Sequence, residues 1–353
     1  MAVETHDEEM SRNRFRGCLM GLATGDALGG PVEFATHYEI QKKHGVLREM
    51  VGGGWMNLAP GQGTDDTAQA TALAESYVVR RQFDGLDFSR RLVAWLSGNP
   101  PDVGNQTRRV LDFIRENPTR WTDAGREIWY ESGGSMAGNG SIMRCAPTAL
   151  FRWNDVDLLV RETIQASQVT HFDPRCCEAC VIVNFVIMQC LHGRYSPDLA
   201  HQALVFLRGA RQTSAYQALA GHYEIARVRA HVPSGMEMSY LDDREAVDQA
   251  LEALDTLTRE DLKSTGYVVD TMQSALWIAL RAESLEAGLV EAVNLGGDAD
   301  TLGAVSGAIL GARFGIMEIP ARWGTRVADH GRIIQLADYL YERAPRDASI
   351  TQF

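Results

Sequence analysis

Gly17-Cys-Leu-Met-Gly-Leu-Ala-Thr-Gly-Asp-Ala-Leu-Gly-Gly30 and, far along the chain, Gly303-Ala-Val-Ser-Gly-Ala-Ile-Leu-Gly-Ala312 repeat glycine and alanine at intervals of three or four. Glycine inside a helix costs up to about 1 kcal/mol against alanine, so several in a row need a compensating gain. Close approach of two helix backbones is such a gain, and it places both segments among central helices. Asp26 and Arg313 interrupt the runs, which are also too short for a membrane-embedded pair.

Helical periodicity continues outward from these segments. Asp66 to Arg81, Phe88 to Leu96, Gly104 to Glu116, Asp155 to Val169, Arg175 to His192, Asp198 to Gly209 and Arg244 to Leu257 carry apolar residues three and four apart. Asp155 and Asp198 read as starts, Gly193 and Gly209 as stops. Alternation with period two is scarce. Val46 to Trp55 could form a short strand or hairpin, but its glycines favour an irregular loop. The 353 residues are 45% apolar, their 11 prolines are scattered, and no linker interrupts the pattern. The sequence therefore predicts one large all-α domain over 14–345, with tails at 1–13 and 346–353. Residues 193–262 form a less informative stretch that could be a variable insertion, with a loop around His231 to Asp243.

The formal net charge of −12 argues against non-specific nucleic-acid binding, though not against a small phosphate-bearing ligand. The most apolar run, Val181 to Leu191, is too short to span a bilayer, and Met1 to Asp7 lacks the core of a signal peptide. No membrane association and a cytoplasmic location are expected. The six cysteines suggest no disulfide framework. Cys176, Cys177 and Cys180 with His171 could be drawn as a zinc site, but no second ligand pair has the usual spacing, and buried helical cysteines are the better reading.

Chemistry concentrates in two clusters. Gly63-Thr64-Asp65-Asp66-Thr67 precedes an amphipathic helix, and Gly296-Gly297-Asp298-Ala299-Asp300-Thr301 precedes the second glycine-rich one. Thr and Asp are common helix caps, but a cap needs one such residue. Here two acids crowd each helix start, and Asp298 and Asp300, two apart, do not share a helical face. Crowded carboxylates repel unless a proton or cation lies between them. Carboxylate and hydroxyl oxygens suit Mg²⁺ or Mn²⁺, and two clusters meeting in space could hold two ions about 3.5–4 Å apart. A dinucleotide fingerprint, a Walker lysine and a Gly-x-Ser-x-Gly elbow are all absent.

With these clusters stand Arg16 to Phe34, Gly61 to Thr67, Gly138-Asn-Gly-Ser-Ile-Met-Arg-Cys-Ala-Pro147, Thr170-His-Phe-Asp173, Gly266-Tyr-Val-Val-Asp-Thr271 and Asn294 to Gly303. In this order, over about 14 to 320, they resemble the ADP-ribosylglycohydrolase family, the group that includes the dinitrogenase-reductase-activating glycohydrolases. The resemblance implies an all-α fold with a central dinuclear magnesium or manganese site ligated by Thr64, Asp65, Asp66, Asp298, Asp300 and Thr301. It matches Glu33 to a mobile active-site glutamate, a motion that the preceding glycine pair would permit. Glu33, Asp66 and Asp300 become the catalytic candidates.

Asn139, Gly140, Ser141 and Met143 match a segment that approaches the diphosphate and distal ribose, where glycines let backbone N–H groups close on phosphate oxygens. Arg144 could touch phosphate or form a structural ion pair. His171 matches a residue beside ADP-ribose, and Tyr267 one near the adenine. Asp102, in Asn99-Pro-Pro-Asp-Val-Gly104, either holds a target guanidinium or caps the helix that begins near Gly104.

The activity implied is metal-dependent removal of ADP-ribose from an arginine-linked protein substrate, with ADP-ribose as product. Alternatives are a serine, O-acetyl-ADP-ribose or nucleic-acid linkage, or an immunity or inhibitor protein that engages an ADP-ribosyltransferase by contact.

Overall fold

The glycine-rich segments are the antiparallel helices at the centre of the protein. In the computed structural model, which describes residues 6–220 and 245–345, the α-helices are α1 (His6–Gly29), α2 (His37–His44), α3 (Asp65–Arg80), α4 (Gly85–Ser97), α5 (Asn105–Glu116), α6 (Trp121–Glu131), α7 (Ala146–Phe151), α8 (Val156–Gln168) and α9 (Pro174–Leu191). They continue with α10 (Leu199–Ala210), α11 (Ser214–Ala220), α12 (Ala246–Ala253), α13 (Val268–Arg281), α14 (Leu285–Val293), α15 (Ala299–Phe314), α16 (Ala321–Gly324) and α17 (His330–Arg343). Among the described residues there is no strand, only three isolated bridges.

Helices α1 and α15 meet backbone to backbone. A Cβ placed on Gly17, Gly21, Gly25 or Gly29 would lie 2.3, 2.1, 1.9 or 2.2 Å from the carbonyl oxygens of Gly311, Gly307, Gly303 and Ala299 in turn. No side chain fits there, so the helix-propensity cost of these glycines is offset by backbone contact. Helices α9, α13 and α14 pack on α15, while α17 packs on α1 and α3. Helix α9 is long and apolar enough to cross a membrane, with mean hydropathy 1.4, but 89% of it is buried inside the protein.

Several boundaries differ from the sequence reading. The tail expected at 1–13 is, from His6 onward, the first turns of α1, and Arg12 and Arg16 pair with Asp338 of α17 at 3.3 and 2.7 Å. Hydrophobic spacing missed it because residues 6–14 are almost all polar. Asp155 caps α8 by accepting from Leu158 N–H at 2.9 Å, and Gly193, with φ +70°, follows α9. Helix α10 runs through Gly209 to Ala210, since that glycine is helical. Within 193–262, α10, α11 and α12 are described; the loop around His231 to Asp243, Arg244 and the tail 346–353 lie outside the described residues. Val46 to Trp55 is an irregular loop.

Candidate active site

The first acidic cluster opens α3. Thr64 is its cap, with Oγ1 accepting from Asp66 N–H at 3.4 Å and donating to Asp66 Oδ2 at 3.2 Å. Asp65 Oδ2 accepts from Gln69 Nε2 one turn on, at 3.0 Å. Both aspartates are buried, and Asp66 Oδ1 has no hydrogen-bond donor.

The second cluster opens α15. Gly296 and Gly297 have φ of +75° and +65°, which L side chains rarely adopt. This reversal delivers Asp298 to the cap position and Asp300 to the first turn. Because α1 and α15 are locked together, the α15 start lies beside the end of α1 and the Glu33 turn that follows it.

Carboxylate oxygens of Asp26, Asp66 and Asp300 lie within 4.8 Å of one another, as do those of Glu33, Asp298 and Asp300. Two adjoining groups of acids thus share Asp300. Burial first, and then Asp26, Asp65 and Asp298, push the Asp66 carboxyl well above the usual carboxylate range. Burial, then Asp66 and Asp298, do the same to Asp300; burial, then Asp102, raise Asp65. Glu33 is pushed up to about 7 by burial and the facing acids, against a hydrogen bond from Trp55 that lowers it. Packed oxygens, an orphaned Asp66 Oδ1 and disfavoured ionisation are what a hard divalent cation relieves, so these residues fit one.

Asp26 is the residue the sequence reading missed. It lies in the glycine-rich part of α1, fully buried, and accepts from Thr64 N–H at 2.9 Å and from the Thr67 N–H at 3.0 Å and hydroxyl. It thereby fixes the start of α3. Its signal was a lone acid in a run of small and apolar residues.

The Gly138–Arg144 segment borders the second cluster. Asn139 Nδ2 donates to Asp298 Oδ2 at 2.8 Å and to Thr271 Oγ1 at 3.0 Å, and Gly138 bridges Tyr267. A Cβ on Gly140 would lie 2.8 Å from the His171 ring. His171 Nδ1 is 2.8 Å from Thr170 Oγ1, and burial and Arg144 hold the imidazole neutral, well below its ordinary pKa. Ser141 and Met143 are buried, with Ser141 Oγ accepting from Ser167 at 2.9 Å and from Cys180. Tyr267 is half-buried, and the Arg175 guanidinium lies 5.7 Å from its ring centre.

Three sequence readings change. Arg144 makes no ion pair among the described residues; it is buried and donates to Gln69 and Thr170. Asp102 does not cap α5, whose cap is Gly104; its half-buried carboxyl faces the acidic centre, where it raises Glu33 and Asp65. The glycine pair before Glu33 is not itself loop: Gly29 is the last residue of α1 and Gly30 the first of a single helical turn over Gly30–Val32. The thiols of Cys176 and Cys180 face Gly138 O and Ser141 Oγ, and that of Cys177 the His171 carbonyl, as packing groups.

Fold and site together define an all-helical protein with a buried centre of acids able to hold divalent cations. A sequence model of the ADP-ribosylglycohydrolase family matches residues 7–349, and the chain belongs to that family. It is 32% identical over 346 residues to ADP-ribosylarginine hydrolase Tri1 of Pseudomonas putida (strain GB-1), covering 96% of this chain and 80% of that protein. It is 31% identical over 312 residues to the ADP-ribosyl-[dinitrogen reductase] glycohydrolase of Rhodospirillum rubrum, covering 88% and 89%. A solved structure described as an ADP-ribosylglycohydrolase-related protein complex superimposes with a TM-score of 0.72 at 31% identity, over 96% of this chain and all of that one.

Proposed function

We propose that this protein cleaves the N-glycosidic bond between ADP-ribose and an arginine side chain of a modified protein. The observation that carries the reading is Asp102: α5 does not use its carboxyl, which is hydrogen-bonded to the Val103 backbone and lies near enough to the acidic centre to raise Glu33 and Asp65, and a carboxylate there suits a guanidinium, whereas a neutral leaving group gains little from it. In this reading Asp66, Asp298 and Asp300, with Thr64, Asp65 and Thr301, hold two Mg²⁺ or Mn²⁺ ions. When bound, the cations supply polarisation of the ribose hydroxyls and of a water.

The C1–N bond breaks, the water oxygen bonds to C1, and a water proton passes to the departing guanidine. Glu33, its carboxyl raised to about 7, takes that proton and returns it. Asp66 and Asp300 face the positive charge that builds at C1 in an oxocarbenium-like transition state. The backbone of Asn139 to Met143, beside a neutral His171, takes the diphosphate side, with Tyr267 toward the adenine. All six cysteines are buried, and no disulfide joins them among the described residues, which suits a reducing compartment.

The test is release of free ADP-ribose from an ADP-ribosyl-arginine peptide with Mn²⁺, Mg²⁺ or chelator. Release that needs a cation, and is abolished in folded Asp65→Ala and Asp300→Ala variants, is expected. No release by the folded, ADP-ribose-binding protein would overturn the arginine reading.

A further inference from the structure

Trp55 is half-exposed, as is its neighbour Phe34, and neither belongs to the apolar core. The loop that carries Trp55 is nonetheless closely built. Gly52, Gly53 and Gly54 all have positive φ, and Gly53 and Leu58 exchange both N–H···O bonds at 2.7 and 2.8 Å. Gly54 lies so near Pro31 that a Cβ would fall 2.8 Å from the proline carbonyl oxygen. The loop is therefore seated on the Gly30–Val32 turn that leads into Glu33. From there the Trp55 indole N–H donates to Glu33 Oε2 at 2.8 Å, the carboxylate's one hydrogen bond among the described residues. Phe34 packs on the indole, centroids 5.8 Å apart, and is held at φ +63°, a conformation an L residue adopts at a cost.

The backbone around Glu33 is fixed independently. Phe34 N–H donates to Gly297 O at 2.6 Å, and Gly297 N–H to Ala35 O at 2.7 Å. Two opposed pulls act on the Glu33 side chain. On one side the carboxylates of Asp298 and Asp300 form with it a group able to hold a cation. On the other is the Trp55 indole, a group that donates only.

We infer that Trp55 is a positioning residue that holds Glu33 back from the cation site, so that Glu33 serves the substrate's water as proton acceptor instead of becoming a ligand. This role rests on the hydrolase reading given above. An indole donor bonded to a carboxylate is a charge-assisted hydrogen bond, among the stronger kinds a side chain can lose.

The test is a double-mutant cycle on ADP-ribose release with Trp55→Phe, Glu33→Ala and the combination, joined to ¹⁵N-indole NMR of the whole protein. Trp55→Phe keeps an aromatic ring beside Phe34 while removing the donor and part of the indole. It should lower kcat about tenfold with KM within about twofold, and have no further effect in the Glu33→Ala background. Trp55→His, which keeps a ring N–H, should recover part of the loss.

Equal losses in both backgrounds, or a loss confined to KM, would overturn the inference and make the indole a wall of the substrate site. The indole resonance assigned by its disappearance in Trp55→Phe should shift upfield and exchange faster in Glu33→Ala; an unchanged resonance also overturns it. If the wild-type protein releases no ADP-ribose, the hydrolase reading fails on its own, and the resonance still decides whether Trp55 holds Glu33.

Discussion

Replacing Gly25 by alanine adds one methyl group at the tightest of the α1 glycines. The new Cβ would lie 1.9 Å from Gly303 O and 2.3 Å from its carbonyl carbon, where ordinary contact begins at 3.4 Å. About 1.5 Å must be found, and the opposing atoms are backbone, with no rotamer to yield. Alanine returns up to about 1 kcal/mol of helix propensity, while overpacking of this kind costs about 1–3 kcal/mol or more. At about 2.1 cal/mol/K of unfolding entropy per residue, each kcal/mol moves Tm by only about 1.3 °C in a chain this long. A fall of up to about 4 °C is therefore expected by calorimetry.

The sharper readout is cation binding, because a shift of α15 carries Asp298 and Asp300 away from Asp66. Mn²⁺ affinity by titration calorimetry should fall at least about tenfold, given that misplacement by an ångström is felt at such sites. Gly209→Ala is the control: a Cβ on this helical glycine meets nothing within 4 Å, so the variant should gain up to about 1 kcal/mol and bind Mn²⁺ normally. A Gly25→Ala protein that melts and binds Mn²⁺ like wild type would refute the interlock as the frame of the site.

Other outcomes follow from the acids. Folding raises the Glu33 carboxyl from 4.5 to about 7, so its stabilising contribution is full below about pH 4.5 and lost as pH rises through 7; Asp66 and Asp300 act in the same direction. The Tm of chelator-treated protein should fall between about pH 5 and about pH 8, and saturating Mn²⁺ should reverse the trend; a rise without metal would contradict the assignment. Asp26→Asn can turn its carbonyl oxygen to Thr67 but then sets an amide N–H₂ against the Thr64 N–H, and should cost about 1–3 kcal/mol in denaturant titrations while weakening Mn²⁺ binding. Wild-type stability would show that Asp26 is dispensable to the α3 start. Asp102→Ala should raise KM about tenfold for arginine-linked ADP-ribose and spare a serine-linked one; equal losses on both would remove Asp102 from leaving-group recognition.

What the chain shows on reading is what is local. Glycine spacing announces backbone contact, and paired acids at a helix start announce excess negative charge, because each argument needs only a few neighbouring residues. Asp26 stays hidden because its purpose depends on α3 beginning opposite it, and a lone acid in a small-residue run reads as an interruption. Asp102 was undecidable between two roles until the start of α5 at Asn105 removed one of them. Ser141 and Met143 lie in a recognisable segment, but spacing does not say which side chains turn inward. Trp55 acts across a loop whose shape depends on three consecutive left-handed glycines, a conformation periodicity does not report.

The interlock of Gly21 with Gly307 joins positions separated by most of the chain. At ribosomal rates of about 5–20 residues per second, roughly 15–55 s pass between synthesis of one partner and the other. Throughout that interval α1 presents a groove with no side chains to fill it, and the acids of α3 wait without those of α15. The second group of acids is thus among the last things to reach the site, long after Asp26 and the start of α3 can meet.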